Sequence, residues 1–273
     1  MPITTLDSVA ANLQPPQIML KVSSTGEGAG FLHSTWLVAG FPGAAPAPSS
    51  GVAGALLTSP TAGQIPFPAA VGGKNIHLAR LEASHASSVG QVIIADRIWQ
   101  NSGLVVTTAT AQTVNSVGWD RDSIIDGVFT GDGVQVGMEV TTTSTPAAAV
   151  TASGITISYT NQANVAGRTG TLSRDFPPTA TAGTLLPFAL QTGDLGIRSV
   201  QSITHPTLTT GAYSLVAFRQ VAAIGTPSVA IGVQQGGLDL GFPRWHDGSV
   251  PWVVFMLGNT APLATVSVTW VQV

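Results

Sequence analysis

Short runs of apolar and β-branched residues, separated by turns rich in Gly and Pro, recur along most of this 273-residue chain. Strict alternation is clearest at Val134, Val136, Met138 and Val140, directly after a Thr-Gly-Asp-Gly turn at 130–133. Alternation of this kind is typical of a strand that turns one face to the core. No stretch of fifteen residues combines the apolar period and the end caps of a long helix. The sequence therefore predicts an all-β protein.

The composition favours the same fold class. Charged residues make up 8% of the chain, against about 25% in an average soluble domain. Thr, Ser, Gly, Ala and Pro take their place, and all of these except Ala favour strands and turns over helices. The chain has no Cys, which excludes disulfide scaffolds and thiolate metal sites.

The charge pattern also limits the partners. The formal net charge is −3 and the only lysines are Lys21 and Lys74, so the chain has no basic field for a nucleic acid or an anionic membrane surface. We therefore expect no direct nucleic-acid partner and no membrane partner. The first ten residues lack the basic and apolar regions of a secretory signal, which predicts synthesis in the host cytoplasm.

A compact monomer of 27.8 kDa exposes roughly 11,000 Å² of surface. The 23 charged residues then provide one charge per about 480 Å², around a third of the usual density. A surface with so few charges is typical of a protein that contacts other subunits. We expect a homo-oligomer.

The residue composition of the chain changes near residue 73. Residues 1–73 predict a strand at Pro16–Val22 and then an extended arm rich in Gly, Pro and Ala, and a connection of this length is expected to lie along a neighbouring subunit. Residues 74–273 predict a β-sandwich of the jelly-roll kind, with Lys74–Ser84 compatible with either a strand or a helix. The other predicted strands in this region are Gly90–Trp99, Leu104–Thr108, Val134–Val140, Gly154–Thr160, Arg168–Leu172, Thr184–Gln191, Gly196–Thr204, Ala212–Val221 and a final strand that ends the chain.

The final strand changes phase near its end. Val266, Val268 and Trp270 alternate with polar residues, but Val271 and Val273 then fall on the face that had been polar. Either a bulge follows Trp270 or the terminus is covered on both faces.

Three carboxylates, Asp120, Asp122 and Asp126, lie close together after a tryptophan. Their spacing departs from that of an EF-hand, because Ile124 occupies a ligand position and the closing Glu is absent. The segment Asp120–Asp126 is therefore either an irregular calcium loop or a charged loop in solvent.

The cluster Trp245-His246-Asp247 combines a flat ring with polar groups, as sugar-binding sites do. Trp in a sandwich is also a common core or interface residue, so both interpretations stand. The sequence contains neither an HExxH nor a GxSxG motif, so it gives no support to hydrolase chemistry. We expect a protein that is not an enzyme and has no catalytic residue, metal or cofactor.

The stretch Val92–Val221 resembles a group of tailed-bacteriophage virion structural proteins. The residues that carry the resemblance are IIADRIWQNSGLVVTTATAQTVNS (93–116), GDGVQVGMEV (131–140), YTNQANVAGRTGTL (159–172), FPPTATAGTLLPFALQTGDLGIRSVQSIT (176–204) and AYSLVAFR (212–219). The resemblance implies a virion protein with a β-sandwich or jelly-roll fold, located on the capsid surface as a decoration (cement) protein. Its implied partners are the major capsid protein and copies of itself, for example in a trimer.

Aromatic anchors dominate many protein interfaces. We therefore expect Trp36, Phe41, Trp99, Trp245 and Trp252 to be contact points in the assembly. The alternative function is that of a carbohydrate- or receptor-binding tail component, for which a jelly roll is equally suitable.

Overall fold

The computed structural model describes residues 3, 5–22, 28–69, 71–86, 89–122, 128–146, 148–257 and 263–273. Strands dominate this part of the chain, and the predicted all-β fold class is confirmed. None of its helices is long and apolar enough to cross a membrane. The strands are β1 (Gln17–Val22), β2 (Leu32–Ser34), β3 (Gly40–Phe41), β4 (Ala55–Leu56), β5 (Ile76–His85), β6 (Gly90–Gln100), β7 (Gln112–Thr113), β8 (Val134–Thr142), β9 (Thr156–Asn161), β10 (Arg168–Leu172), β11 (Thr184–Ala189), β12 (Ile197–Thr204), β13 (Ala212–Thr226), β14 (Val233–Gly236), β15 (Arg244–Trp245), β16 (Pro251–Leu257) and β17 (Leu263–Gln272). The helices are α1 (Leu6–Ala11), α2 (Gly237–Leu240) and a 3-10 turn at Ala152–Gly154.

Six strands close into a barrel at the centre of the molecule. Their order is β2-β16-β6-β13-β8-β11, and β11 pairs back to β2 through Leu185 and Leu32. All of these pairings are antiparallel. The interior holds an apolar cluster that includes Ile93, Val216 and Phe218. The sequence did not predict this closed ring.

A layer of strands packs on each side of the barrel. On one side lies a six-stranded sheet of order β14-β5-β17-β1-β3, with β15 also paired to β5. An apolar cluster between them joins Leu81 and Val268 of the sheet to Ile94 and Phe255 of the barrel strands. On the other side, β10, β9, β12 and β7 continue from β11 and fold over the barrel around a second cluster. The resulting arrangement is sandwich-like.

Alternation explains why β8 can contribute to two of these cores. Val134, Val136, Met138 and Val140 all face the cluster between the barrel and β9. Gly137 and Glu139, on the opposite face of β8, lie toward the barrel interior, where a Cβ on Gly137 would lie 2.8 Å from a Leu185 methyl group. The centre of β8 is therefore buried on both faces, and its second face carries a small residue and a charge that has a partner.

The end of the chain is covered on both faces. Val271 packs beneath Val9 of α1 on the outer face of the sheet. The Gln272 side chain is buried on the inner side, where its Nε2 donates to the Ala69 carbonyl at 3.2 Å. The register irregularity between β17 and β5 lies before Trp270 rather than after it. Of the two explanations for the phase change, coverage by α1 is therefore correct.

One predicted strand is absent from the structure, and one ambiguous stretch is resolved. Leu104–Thr108 is not a strand, because the Gln112 side chain satisfies both the N–H and the carbonyl of Val105. The ambiguous stretch Lys74–Ser84 is a strand, β5, which pairs with β17 along almost its entire length.

Residues 28–69 form hydrogen bonds with barrel strands of the same molecule. The backbone N–H groups of Leu57 and Ile65 donate to the carbonyls of Ile98 and Pro251. The division at residue 73 and the contact of the arm with a neighbouring subunit remain predictions.

Candidate interaction surface

The edge of the six-stranded sheet carries an exposed apolar strip. Ile18, Leu20 and Val22 of β1 alternate toward solvent with 43–55% of each residue exposed, and Phe41 of β3 is 59% exposed. Phe41 pairs directly with Leu20, so the two side chains lie side by side on one face of the sheet. We call these four residues the apolar strip.

The other face of β1 holds the strip in place. Met19 packs in the core between the sheet and the barrel. Lys21 is fully buried, and its ammonium group donates to the carbonyls of Val38 at 2.8 Å and Gly43 at 3.2 Å. Burial lowers the pKa of Lys21 to about 8. Lys21 thereby ties β1 to the segment that carries Phe41.

The surface beside the strip is polar but nearly neutral. Register pairs Ile18 with Ser267 and Leu20 with Thr265 on β17. Beyond β17, Arg80 and Glu82 form an ion pair with each other on β5. A shallow groove of about 320 Å³ lies here. It is lined by Glu82, Ala83, Ser84, Gly232, Val233, Gln234, Thr265 and Ser267.

Burial removes many of the few charges from the surface. Among the charged residues that the structure describes, seven are buried: Lys21, Asp96, Arg97, Arg121, Asp122, Glu139 and Arg219. At most sixteen therefore remain for a surface of 10808 Å², or about one per 680 Å². The exposed surface is even poorer in charge than the composition indicates.

One of the buried ion pairs lies inside the barrel. The Arg97 guanidinium donates from two nitrogens to the two Glu139 oxygens, at 2.9 and 2.5 Å. Its central carbon lies 4.6 Å from the Trp36 ring centroid and 4.7 Å from that of Trp252. The Gln100 side-chain oxygen accepts from the same guanidinium. These contacts give both charges protein partners and enclose the guanidinium between two of the tryptophans.

The neighbouring residue, Asp96, faces the other side of β6. It accepts from Arg121 Nε at 3.0 Å, from the Ser249 hydroxyl at 2.7 Å and from the Val250 N–H at 2.8 Å. Burial alone would raise the pKa of Asp96, but the charges of Arg121 and Arg219 and the hydrogen bonds together lower it. The network is structural, because each partner joins a loop to β6.

Four of the five predicted contact residues are core side chains in this chain. Trp36, Trp99, Trp245 and Trp252 are each at most 1% exposed. A partner would reach these rings only if the monomer opened. Phe41 is the predicted contact residue that lies on the surface, and it belongs to the apolar strip.

The Trp245-His246-Asp247 cluster does not present a ring to solvent. Trp245 packs against Phe67 and Trp270, with ring centroids 5.9 and 5.2 Å away. The His246 Nε2 lies 2.7 Å from the Asp122 carbonyl oxygen. Stacking on a sugar needs an exposed ring face, and Trp245 does not provide one.

The two described carboxylates of the segment Asp120–Asp126 have protein partners. Asp120 pairs with Arg121 at 2.9 Å. Asp122 accepts from the N–H groups of Thr130 and Gly131, at 2.6 and 2.8 Å. Asp126 lies outside the described residues. Among the residues that are described, no three His, Asp or Glu side chains are grouped to hold a metal ion.

The strip itself was not predicted as a surface. The alternation of Ile18, Leu20 and Val22 indicates a strand, and apolar alternation ordinarily marks the buried face. The structure buries the opposite face of β1, which carries Met19 and Lys21. A lysine on that face argues against its burial, so the pattern of β1 misleads about its orientation. No local feature of the sequence indicates that the carbonyl groups of Val38 and Gly43 accept hydrogen bonds from the Lys21 ammonium group.

No model of a known protein family matches the chain, and no curated protein is significantly similar to it. Among solved structures, the chain is weakly similar to a viral capsid protein. A structure of infectious bursal disease virus, strain Gt, matches over 100% of this chain and 83% of the other, with 9% identity and a TM-score of 0.20. The VP2 subviral particle of the same virus matches over the same shares, with 12% identity and a TM-score of 0.20. A TM-score this low does not indicate a shared fold.

Proposed function

We propose that this chain is a non-enzymatic structural protein of a virion, which decorates the capsid as a homo-oligomer in contact with the major capsid protein. The observation that carries the proposal is the surface, with at most sixteen charges over 10808 Å² and an apolar strip at a sheet edge. Water solvates such a surface less well than a charged one, so burial against other subunits is favourable.

The buried charges support a structural role. Arg97, Glu139, Asp96 and Arg121 hold strands and loops together inside the molecule. Their polar atoms already have protein partners at hydrogen-bonding distance. The resemblance of Val92–Val221 to tailed-phage virion proteins favours the capsid as the place of this role.

Multivalent attachment explains how neutral contacts of modest strength suffice. An oligomer bound to a lattice through several equivalent sites dissociates only when all of them release, so avidity exceeds the affinity of each contact. Self-association and attachment to the capsid are therefore coupled.

Quantitative mass spectrometry of purified particles tests the proposal. Heads and tails of the virus that encodes the chain are separated, and the chain is counted against the major capsid protein. We expect a ratio near one, confined to heads. A few copies per particle in the tail fraction, or none in either fraction, would contradict the decoration role and favour a receptor-binding tail component or a non-virion protein.

A matched pair of variants tests the strip in the same preparation. Phe41→Ser removes the aromatic ring of the strip. Val165→Ser removes a side chain of similar exposure (49%) from the turn between β9 and β10, in the opposite layer. We expect about a tenfold loss of particle-bound copies for Phe41→Ser, as for an aromatic anchor, and no loss for Val165→Ser.

A further inference from the structure

The apolar strip has the properties of a contact between like surfaces. Its four side chains carry no charge and no hydrogen-bonding group. A partner with a charged or strongly polar surface would lose solvation against it and gain nothing in return. A second apolar, neutral face is the complementary surface.

The charged residues near the strip do not favour a charged partner. Arg80 and Glu82 neutralise each other, and Arg80 also donates to the side-chain oxygen of Gln234 at 2.7 Å. Lys21, the basic residue of β1, is buried with its ammonium on two backbone carbonyls. A nucleic acid or an anionic lipid therefore meets no free cation in the strip or in this part of β5.

The available area fits a pair of sheets packed face to face. From their fractional exposure, the four side chains offer roughly 400 Å², in the range of the largest apolar patch on a typical monomer. A stable interface needs about 800 Å² from each partner. The strip alone is therefore too small, and an interface here must extend onto the adjoining neutral face of β17 and β5, where Thr265, Ser267 and Ser84 continue the same surface.

We infer that the apolar strip is the contact site for a second copy of this chain, with the two outer sheet faces packed on each other about a twofold axis near Leu20. A twofold contact uses the same patch on both copies. Leu20 is the middle of the three exposed β1 residues and the one beside Phe41. Its side chain therefore lies closest to its own counterpart. This inference rests on the proposed structural role and adds the identity of the partner and the geometry of the contact.

The absence of cysteine from the sequence allows a direct test. Leu20→Cys and Val165→Cys are prepared as single variants of the full chain, and each is treated with a short bismaleimide crosslinker. We expect a covalent dimer for Leu20→Cys and none for Val165→Cys at the same protein concentration. Equal crosslinking of the two variants, or none for Leu20→Cys, would overturn the twofold contact near Leu20.

Sedimentation equilibrium of the uncrosslinked protein supplies the second measurement. We expect a dimer for the natural chain, a monomer with the circular dichroism spectrum of the natural chain and cooperative unfolding for Leu20→Lys, and a dimer for Val165→Lys. A natural chain that is monomeric or trimeric, or a Leu20→Lys variant that stays dimeric, would overturn the inference. Particle copy number is measured independently, so a head protein at a ratio near one with no dimer would refute the contact and leave the decoration role intact.

Discussion

Lys21 shows how one side chain couples the stability of the sheet to pH. In the folded protein its pKa is about 8, whereas an unfolded lysine titrates near 10.5. Between these values the unfolded chain binds a proton that the folded chain has released, so folding becomes more favourable as the pH rises. We expect the free energy of unfolding to increase from pH 8 toward pH 10.

Urea unfolding at pH 7.5, 8.5 and 9.5 checks this expectation. Lys21→Met keeps the length of the side chain and removes the titrating group, so its stability should rise less over the same interval. Parallel profiles for the two proteins would show that Lys21 is not responsible.

The buried ion pair of Arg97 and Glu139 leads to a second prediction about individual residues. Arg97→Met leaves the Glu139 carboxylate buried without its cation, which costs about 3–5 kcal/mol of stability. The double variant Arg97→Met/Glu139→Leu removes both charges and should be more stable than Arg97→Met alone. Denaturant unfolding of the two single variants and the double variant measures the coupling. Additive losses in this cycle would mean that the two residues do not act as a pair.

At the scale of elements, two short turns with the same Thr-Gly-Asp sequence lie side by side. Asp132 of the first forms a bridge with Gly196, which follows the second turn. Gly131 has φ +83°, and a Cβ there would lie 2.2 Å from the Ile197 carbonyl oxygen. The close approach of the two backbones therefore needs glycine at this position.

Gly131→Ala and Gly193→Ala form a matched pair for this contact. Gly193 also has positive φ (+90°), but a Cβ there meets nothing within 4 Å. We expect Gly193→Ala to cost about 1–2 kcal/mol from the backbone conformation alone, and Gly131→Ala to cost more because the turns must separate. Equal losses in thermal or urea unfolding would contradict the close approach.

The sequence predicted the elements that depend on local pattern. β8 and β10 lie where alternation and flanking turns place them. The orientation of β1 was not predictable, because it depends on the carbonyls of Val38 and Gly43, which tertiary structure brings to Lys21. The failure at Leu104–Thr108 has a similar cause, since a single glutamine side chain takes the place of a neighbouring strand.

For the whole molecule, the five histidines predict sensitivity to acid. Burial lowers the pKa of every one of them, and that of His33 to about 4. Below pH 6.5 the unfolded chain binds protons that the folded chain does not, so stability falls as the pH drops from 6.5 toward 4. Circular dichroism melting curves at pH 7.5, 6, 5 and 4.5 measure this fall.

His85 offers a variant for the same measurement. It is fully buried and packs edge-on against Phe255 at 5.3 Å. His85→Leu removes one titrating group from the core, and its melting temperature should fall less steeply with acid than that of the natural chain. A natural protein whose melting temperature is constant from pH 7 to 4.5 would refute the histidine account.

The prediction of function from sequence was limited by the same long-range packing. The low charge was visible in the composition, and it indicated a protein that contacts other subunits. The choice of contact residues followed the tryptophans, and the barrel and its ion pair bury Trp36 and Trp252 in ways that no local pattern shows. Phe41 lies on the surface because its strand is only two residues long and ends at a sheet edge.

The closed ring of six strands also determines when the molecule can fold. Ser34 of β2 pairs with Val254 of β16, and pairing between such distant segments incurs a large loop-closure entropy before any contact compensates for it. During synthesis, β6, β8, β11 and β13 emerge well before their ring is complete, and two sheet edges stay open until Leu257 has left the ribosome. The ring can therefore close only after β16 has been synthesised, and until then the nascent protein depends on its open edges staying unpaired with other chains.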